Sequence, residues 1–515
     1  MESLVNRRFV IAVFTMACLT AVLLAVAPIR SSTSGSGGYD SWLDVNDDGK
    51  IDMKDIGSVA FAFGTNGQNI SKATLAYDSG WLDLRNETGE YYTITHNLND
   101  TEYQVDARKI TSGWNKTYGG TNPDWAYALM QTSEGGYALA GWTYSFGAGQ
   151  GDFWLVKTGA AGNAQWNKTY GGTSTDEAFA LVQTTDGGYA LAGRTYSFGA
   201  GNDDFWLVKT DASGTEQWNK TYGGTNTDEA YALVQTTDGG YALAGRTYSF
   251  GAGSYDFLLV KTDAAGNAQW NQTYGGTNRD LAFALVQTTD GGYALAGGSA
   301  SFGAGQEDFW LVKTDASGTM QWNKTYGGTN PDWAYALMQT SEGGYALAGW
   351  TYSFGAGQGD FWLVKTDAAG NMQWNKTCGG TSNDWAYALM QTVDGGYALA
   401  GGTWSFGAGQ EDFWLVKTDA NGNMQWNRTY GGTNIDWAYA LMQTVDGGYA
   451  LAGGTQSFGA GSNDAWLIKT DASGNVGGVE SGLAWIDSSA NTVTLYRGAT
   501  DTYWNYVRVR LWKPR

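Results

Sequence analysis

The chain has 515 residues, among them 76 glycines, 25 tryptophans, 31 tyrosines, four prolines and one histidine, with a formal net charge of −20. Glycine at about twice its ordinary ~7% share would suit disorder, but 15% aromatic residues supply the apolar surface that disordered chains lack. The acidity excludes a nucleic-acid partner, whose phosphates call for Lys and Arg, and the single histidine, His96, excludes a multi-histidine metal centre.

Arg7 and Arg8 precede an apolar run from Phe9 to Pro28, and polar Arg30-Ser31-Ser32-Thr33-Ser34 follows. That order reads as a signal sequence over residues 1–30, long enough to span a bilayer. Ala25-Val26-Ala27 has the small-x-small form of a cleavage site, but Pro28 disfavours the cut. A cleaved signal peptide and a retained membrane anchor therefore stand as equal alternatives. On either, the positive flank stays inside and the rest is exported, so the protein is expected to be secreted or held at the cell surface. Of the two cysteines, Cys18 lies in this run and Cys378 stands where sister repeats have Tyr. No disulfide framework is expected.

A Gly/Ser linker, residues 31–39, leads to an acidic loop in residues 40–70. Asp44, Asn46 and Asp48 offer oxygens at loop positions 1, 3 and 5, and Gly49 makes the turn at 6. Lys50 offers its carbonyl at 7, Asp52 sits at 9 and Asp55 closes at 12. Hard oxygen ligands at this spacing suit Ca²⁺. Residues 56–63 suit one short helix, while the Gly/Ser stretch before the loop leaves no entering helix. A loop plus exiting helix resembles one half of a dockerin, the module that docks onto cohesin. Dockerins usually carry two such loops and this chain has one. The resemblance implies a calcium-stabilised module that either docks a cohesin-like protein or is purely structural.

Trp-Asn-(Lys/Gln/Arg)-Thr begins at Trp114, Trp166, Trp218, Trp270, Trp322, Trp374 and Trp426, so seven copies of 52 residues cover 7 × 52 = 364 residues. A period in this range signals a solenoid, propeller or array. One copy holds four short strand candidates, Trp125–Thr132, Tyr137–Thr143, Asp152–Thr158 and Ala164–Tyr170, bounded by Gly/Asp/Asn/Ser turns. Four antiparallel strands per unit make a propeller blade. The last copy lacks its own fourth strand and the first carries an extra one, Trp114–Tyr118. The expected fold is thus all-β: a seven-bladed β-propeller of 28 strands over residues 113–476, closed by its N-terminal strand. A linear solenoid has no use for that offset. The Asp-Gly-Gly-Tyr-Ala-Leu-Ala-Gly and Asp-Phe-Trp-Leu-Val-Lys-Thr units resemble kelch-like repeat propellers of exported archaeal and bacterial proteins, which implies the fold and leaves the activity open.

The longer connections, such as residues 119–124 and 145–151, are expected on one face, where sites usually sit on a rigid frame. Variation between copies gathers there. It marks Trp125, Trp142, Tyr144, Arg194, Arg246, Trp333, Trp350, Trp385, Trp404 and Trp437 as candidate ligand-binding residues. Aromatic faces and arginines suit a sugar, although tryptophans also pack between blades. Two aspartates, the Asp124 and Asp152 series, recur in all seven copies. They are expected to accept loop-amide hydrogen bonds, with cation binding as the alternative. Seven equivalent carboxylate pairs mark no single catalytic centre. Were the chain an enzyme, it would be a glycoside hydrolase or polysaccharide lyase.

Asn115, Asn167, Asn219, Asn271, Asn323, Asn375 and Asn427 each begin Asn-x-Thr on the outermost strand, a glycan-acceptor pattern in an exported chain. The flanks, residues 73–112 and 477–515, hold about three strands each, too few for independent stability. They are expected to form one discontinuous β-sandwich with the propeller inserted. The Ser79-Gly-Trp81, His96-Asn-Leu98 and Val507-Arg-Val-Arg-Leu-Trp512 order looks like a small H-type lectin. The functional expectation is a monomeric, extracytoplasmic binding protein for polysaccharide or surface glycans. The alternative is a cohesin-docking or adhesion scaffold.

Overall fold

The computed structural model describes residues 113–476 in full and the backbone of seven strands flanking them. The signal segment, the linker and the calcium loop lie outside the described residues. Two units are separable: Ser112–Gly477, and a second built from both flanks, Met1–Thr111 with Gly478–Arg515.

The repeat unit is a seven-bladed propeller of 28 strands, each blade a four-stranded antiparallel sheet. Blade one comprises Asp124–Gln131, Tyr137–Thr143, Asp152–Thr158 and Ala164–Tyr170. Blades two to seven begin at Asp176, Asp228, Asp280, Asp332, Asp384 and Asp436. The first strand starts one residue earlier than the sequence suggested. Asp124 already donates its N–H to Asn463 O of blade seven at 2.9 Å, and Thr132 has turned to bond Gly136 O. Blade seven takes its fourth strand from the other end of the unit: Trp114–Tyr118 pairs antiparallel with Asp464–Lys469.

Burial explains the strand order. The middle strands are buried along nearly their whole length because each is covered on both sides by neighbouring blades. The fourth strand is mostly exposed to solvent. Small and large residues are sorted by face. Ala138, Ala140, Phe153 and Leu155 of blade one meet Tyr189, Leu191, Trp206 and Val208 of blade two. Tyr137, Leu139, Trp154 and Val156 meet Ala450, Ala452, Ala465 and Leu467 of blade seven. Alternating Ala with Tyr and Leu along Tyr-Ala-Leu-Ala therefore lets one copied sequence offer a small face to one neighbour and a large face to the other.

In the second unit, Ala73–Asp83, Tyr506–Pro514, Gln104–Ile110 and Val479–Ser481 form a four-stranded sheet, and Tyr91–Thr95, Thr492–Tyr496 and Trp485–Ser488 a three-stranded one. Each sheet mixes strands from before and after the repeats. The face-to-face packing of a sandwich rests on side chains outside the described residues.

Candidate functional site

The two long loops of each blade sit on one face and hold each other. In blade one, Asn122 N donates to Ser145 Oγ at 3.1 Å and Tyr144 N to Pro123 O at 3.0 Å. Asp124 organises them: it accepts from Gly120 N at 2.8 Å, from Ser145 Oγ at 2.7 Å and from the Thr143 hydroxyl. Asp152 accepts from Ala148 N at 3.0 Å, and burial raises its carboxyl above the ordinary range, against those amide bonds. The two aspartate series are thus loop braces. Among the described residues no group of three or more His, Cys, Asp or Glu is placed to hold a metal.

The first strands of adjacent blades contact one another and line the central channel. Each carries a β-bulge, in blade one between Ala126 and Ala128. The extra residue is Tyr127, and its counterparts are Phe179, Tyr231, Phe283, Tyr335, Tyr387 and Tyr439. A bulge bends the strand and re-aims one side chain. The result is a closed ring of seven aromatics across the channel, with neighbouring centroids 4.5 to 5.3 Å apart. Burial pushes the Tyr127 and Tyr335 hydroxyls up to about 12, so they stay protonated. Sequence reasoning missed this ring. Its signal was an aromatic at one place in every copy, opposite the Gly141 series.

Around the ring, the residue after each loop aspartate meets the next-to-last residue of the previous blade's second strand. Where that second residue is glycine, a side chain fills the gap. A Cβ on Gly454 would lie 2.3 Å from Trp125, and one on Gly298 2.5 Å from Trp333. Both tryptophans are consequently buried. Trp125 stacks on Trp437 at 5.1 Å and tilts against Trp142 at 6.1 Å. Trp350 lies 6.4 Å from both Trp333 and Trp385. Six of the candidate tryptophans therefore make an aromatic arc in two groups of three, Trp333, Trp350 and Trp385 over blades five and six, and Trp437, Trp125 and Trp142 over blades seven and one.

Blades two to four make a charged arc. Arg194 pairs with Glu177 at 2.7 Å and with Glu229 at 2.9 Å. Arg246 pairs with Glu229 at 2.8 Å and lies over Tyr255 at 4.7 Å. Arg279 bonds Glu307 and lies over Trp333 at 5.1 Å. Burial would raise Glu229, but the two guanidiniums outweigh it and hold the carboxyl below its ordinary value.

Apart from the repeated loop phenylalanines, four aromatics stay exposed beside the arcs: Tyr144, Tyr196, Tyr248 and Trp404, at 38 to 50%. Each is braced. Tyr144 packs edge-on to Trp142 at 5.1 Å and Tyr248 lies 5.1 Å from Tyr255. The Tyr196 hydroxyl engages Asp203, and Trp404 Nε1 donates to Glu411 Oε2 at 2.7 Å. Asp203 and Glu411 occupy the same position in blades two and six, and both are buried. Desolvation pushes their carboxyls up to about 6 and about 7. Asp203 Oδ1, Glu411 Oε1, Arg246 Nε, Trp385 Nε1 and Asn463 Oδ1 are buried at this mouth without a hydrogen-bond partner.

On the outer strands, the Asn-x-Thr asparagines have a structural partner. Trp206, Trp310, Trp362 and Trp414 donate Nε1 to Oδ1 of Asn219, Asn323, Asn375 and Asn427 at 3.2 Å. Trp154 and Trp466 do the same at 3.4 and 3.5 Å to Asn167 and Asn115. Blade three has Leu258 at the tryptophan's place, beside Asn271's strand.

No family model matches the chain, and no curated protein matches it. Among solved structures the likenesses are distant. Sqt1 from Chaetomium thermophilum is 12% identical, with 68% of this chain and 82% of that one covered at a TM-score of 0.39. The Pan2 WD40 domain of Neurospora crassa is 11% identical, with 70% and 98% covered at 0.41. A protein of unknown function from Dyadobacter fermentans is 12% identical, with 76% and 100% covered at 0.39. At such identities and TM-scores the likeness carries no argument about this chain.

Proposed function

We propose that this is an exported binding protein whose long-loop face recognises polysaccharide or surface glycans. The observation that carries the reading is the set of four exposed, braced aromatics, Tyr144, Tyr196, Tyr248 and Trp404, around the channel mouth. A sugar's C–H faces stack on such rings, and its hydroxyls need polar groups close by. The charged arc and the unpaired donors and acceptors at the mouth supply them. Braced rings lose little freedom on binding, which favours affinity. Export by the N-terminal segment, Ca²⁺ on Asp44, Asn46, Asp48, Lys50, Asp52 and Asp55, glycans on the outer strands and a lectin-like sandwich of the flanks belong to the same proposal. A glycan array probed with the exported portion, with and without Ca²⁺, tests it. Binding lost in Trp404→Ala is expected, and no binding under either condition defeats the reading.

A second reading, a protein-interaction scaffold, is favoured by one feature. Phe146, Phe198, Phe250, Phe302, Phe354, Phe406 and Phe458 repeat a half-exposed apolar contact around the same face. A pull-down recovering a cohesin-bearing protein only with Ca²⁺ would select it.

A further inference from the structure

Blade six departs from its sisters in a way that bears on charge. The next-to-last residue of the second strand is Arg194 in blade two and Arg246 in blade three; Arg194 pairs with the Glu177 and Glu229 carboxylates of the charged arc and Arg246 with Glu229. In blade six the same position is Gly402, and the space above it holds the Glu411 carboxyl. A Cβ on Gly402 would lie 2.0 Å from Glu411 Oε1. Glu411 is thus a buried acid at a place where the fold elsewhere puts a cation. Its Oε2 takes the Trp404 indole N–H at 2.7 Å, the Trp437 indole N–H is directed at the carboxyl, and Oε1 has no partner within hydrogen-bond distance. The charged groups acting on it, Asp384 and Asp412, are acidic, the Tyr387 and Tyr439 phenols lie within its electrostatic reach, and no Lys or Arg pairs with it among the described residues. Trp404, which covers it, is 43% exposed.

We propose that the Trp404–Trp437–Glu411 corner is a subsite for a sugar bearing an ammonium group, so that the glycan recognised by this face contains amino sugars and not uronic acids. The inference rests on the glycan reading of the face. An ammonium over an indole gains a cation–π attraction, strengthened when the pair is desolvated. The Glu411 carboxylate at the edge of the same indole adds a Coulomb attraction and repels an anionic sugar. Burial already holds the Glu411 proton up to about 7. A ligand cation favours the ionised form, so binding near neutral pH releases a proton from Glu411.

Isothermal titration at pH 7, in two buffers of different ionisation enthalpy, tests this. The probes are an N-trimethylated glucosamine oligomer, whose charge does not titrate, its N-acetylated counterpart, a galacturonic acid oligomer and a lysine oligomer. The trimethylated sugar is expected to bind at least tenfold tighter than the acetylated one and to release roughly half a proton per site. Glu411→Gln should abolish that preference and the proton release. Trp404→Ala should weaken both sugars. Preference for the galacturonic or acetylated oligomer, or an unchanged preference in Glu411→Gln, overturns the inference and leaves the glycan reading standing. Binding of the lysine oligomer alone overturns it in favour of a protein ligand. Binding of no probe and of no array glycan defeats the underlying reading as well.

Discussion

Single side chains already separate the copies from one another. In six places the last residue of a fourth strand is a tyrosine whose hydroxyl donates to a glycine carbonyl in the next blade's outer hairpin, as from Tyr170 to Gly214 O at 2.6 Å. Cys378 stands at the seventh place, and burial pushes its thiol up to about 11, so it stays protonated. Cys378→Tyr should restore the missing bond to Gly422 and raise stability by about 1 kcal/mol. Thermal denaturation checks this, and an unchanged or lower Tm would contradict it. Glu411 gives a second test at the same scale. Its folded value of about 7 lies above its ordinary 4.5. The stability held by the protonated carboxyl is therefore present below about 4.5 and lost as pH rises through about 7. Glu411→Gln, which stays neutral, should match the native protein at pH 4.5 and exceed it at pH 8, by up to about 3 kcal/mol. A gap of the same size at both pH values would contradict this.

Within each element, the bulge of the first strand sets the site. It turns Tyr127 into the channel and leaves the backbone of Trp125 hard against Gly141, where a Cβ would lie 1.8 Å from Trp125 O. A methyl there meets backbone that cannot step aside, so Gly141→Ala should cost about 1–3 kcal/mol and lower Tm. An unchanged Tm would show that the bulge is dispensable. Three of the four strands were legible to the residue, because Gly/Asp turns bracket apolar runs of fixed length in every copy. The bulge was not legible, since an extra residue in one strand shows only once its partner strand is placed opposite it. The rim was legible as a set of variable positions, but not as buried or exposed ones. Trp125 is buried because Gly454 leaves space for it, and Gly454 lies on another blade. Trp125 lies near the start of a strand and Trp404 follows one, but neither place by itself tells which ring is covered.

Taken as a whole, the molecule is a frame copied seven times with differences concentrated around one opening. Closure followed from the sequence, since a strand surplus at one end matched a deficit at the other, and Trp114–Tyr118 does complete blade seven. The division of the opening into an aromatic arc and a charged arc did not follow. It depends on which residue of one blade meets which residue of the next, as Arg194 meets Glu229. The frame fixes these meetings, so the exposed rings sit on rigid support and the long loops need not move to admit a ligand. A crystal structure of the propeller soaked with an array-selected oligosaccharide is the most direct test of this account. It should show sugar rings stacked on Trp404 and at least one of Tyr144, Tyr196 and Tyr248. Sugar bound only to the hairpin face, the outer strands or the flanking sheets would contradict it.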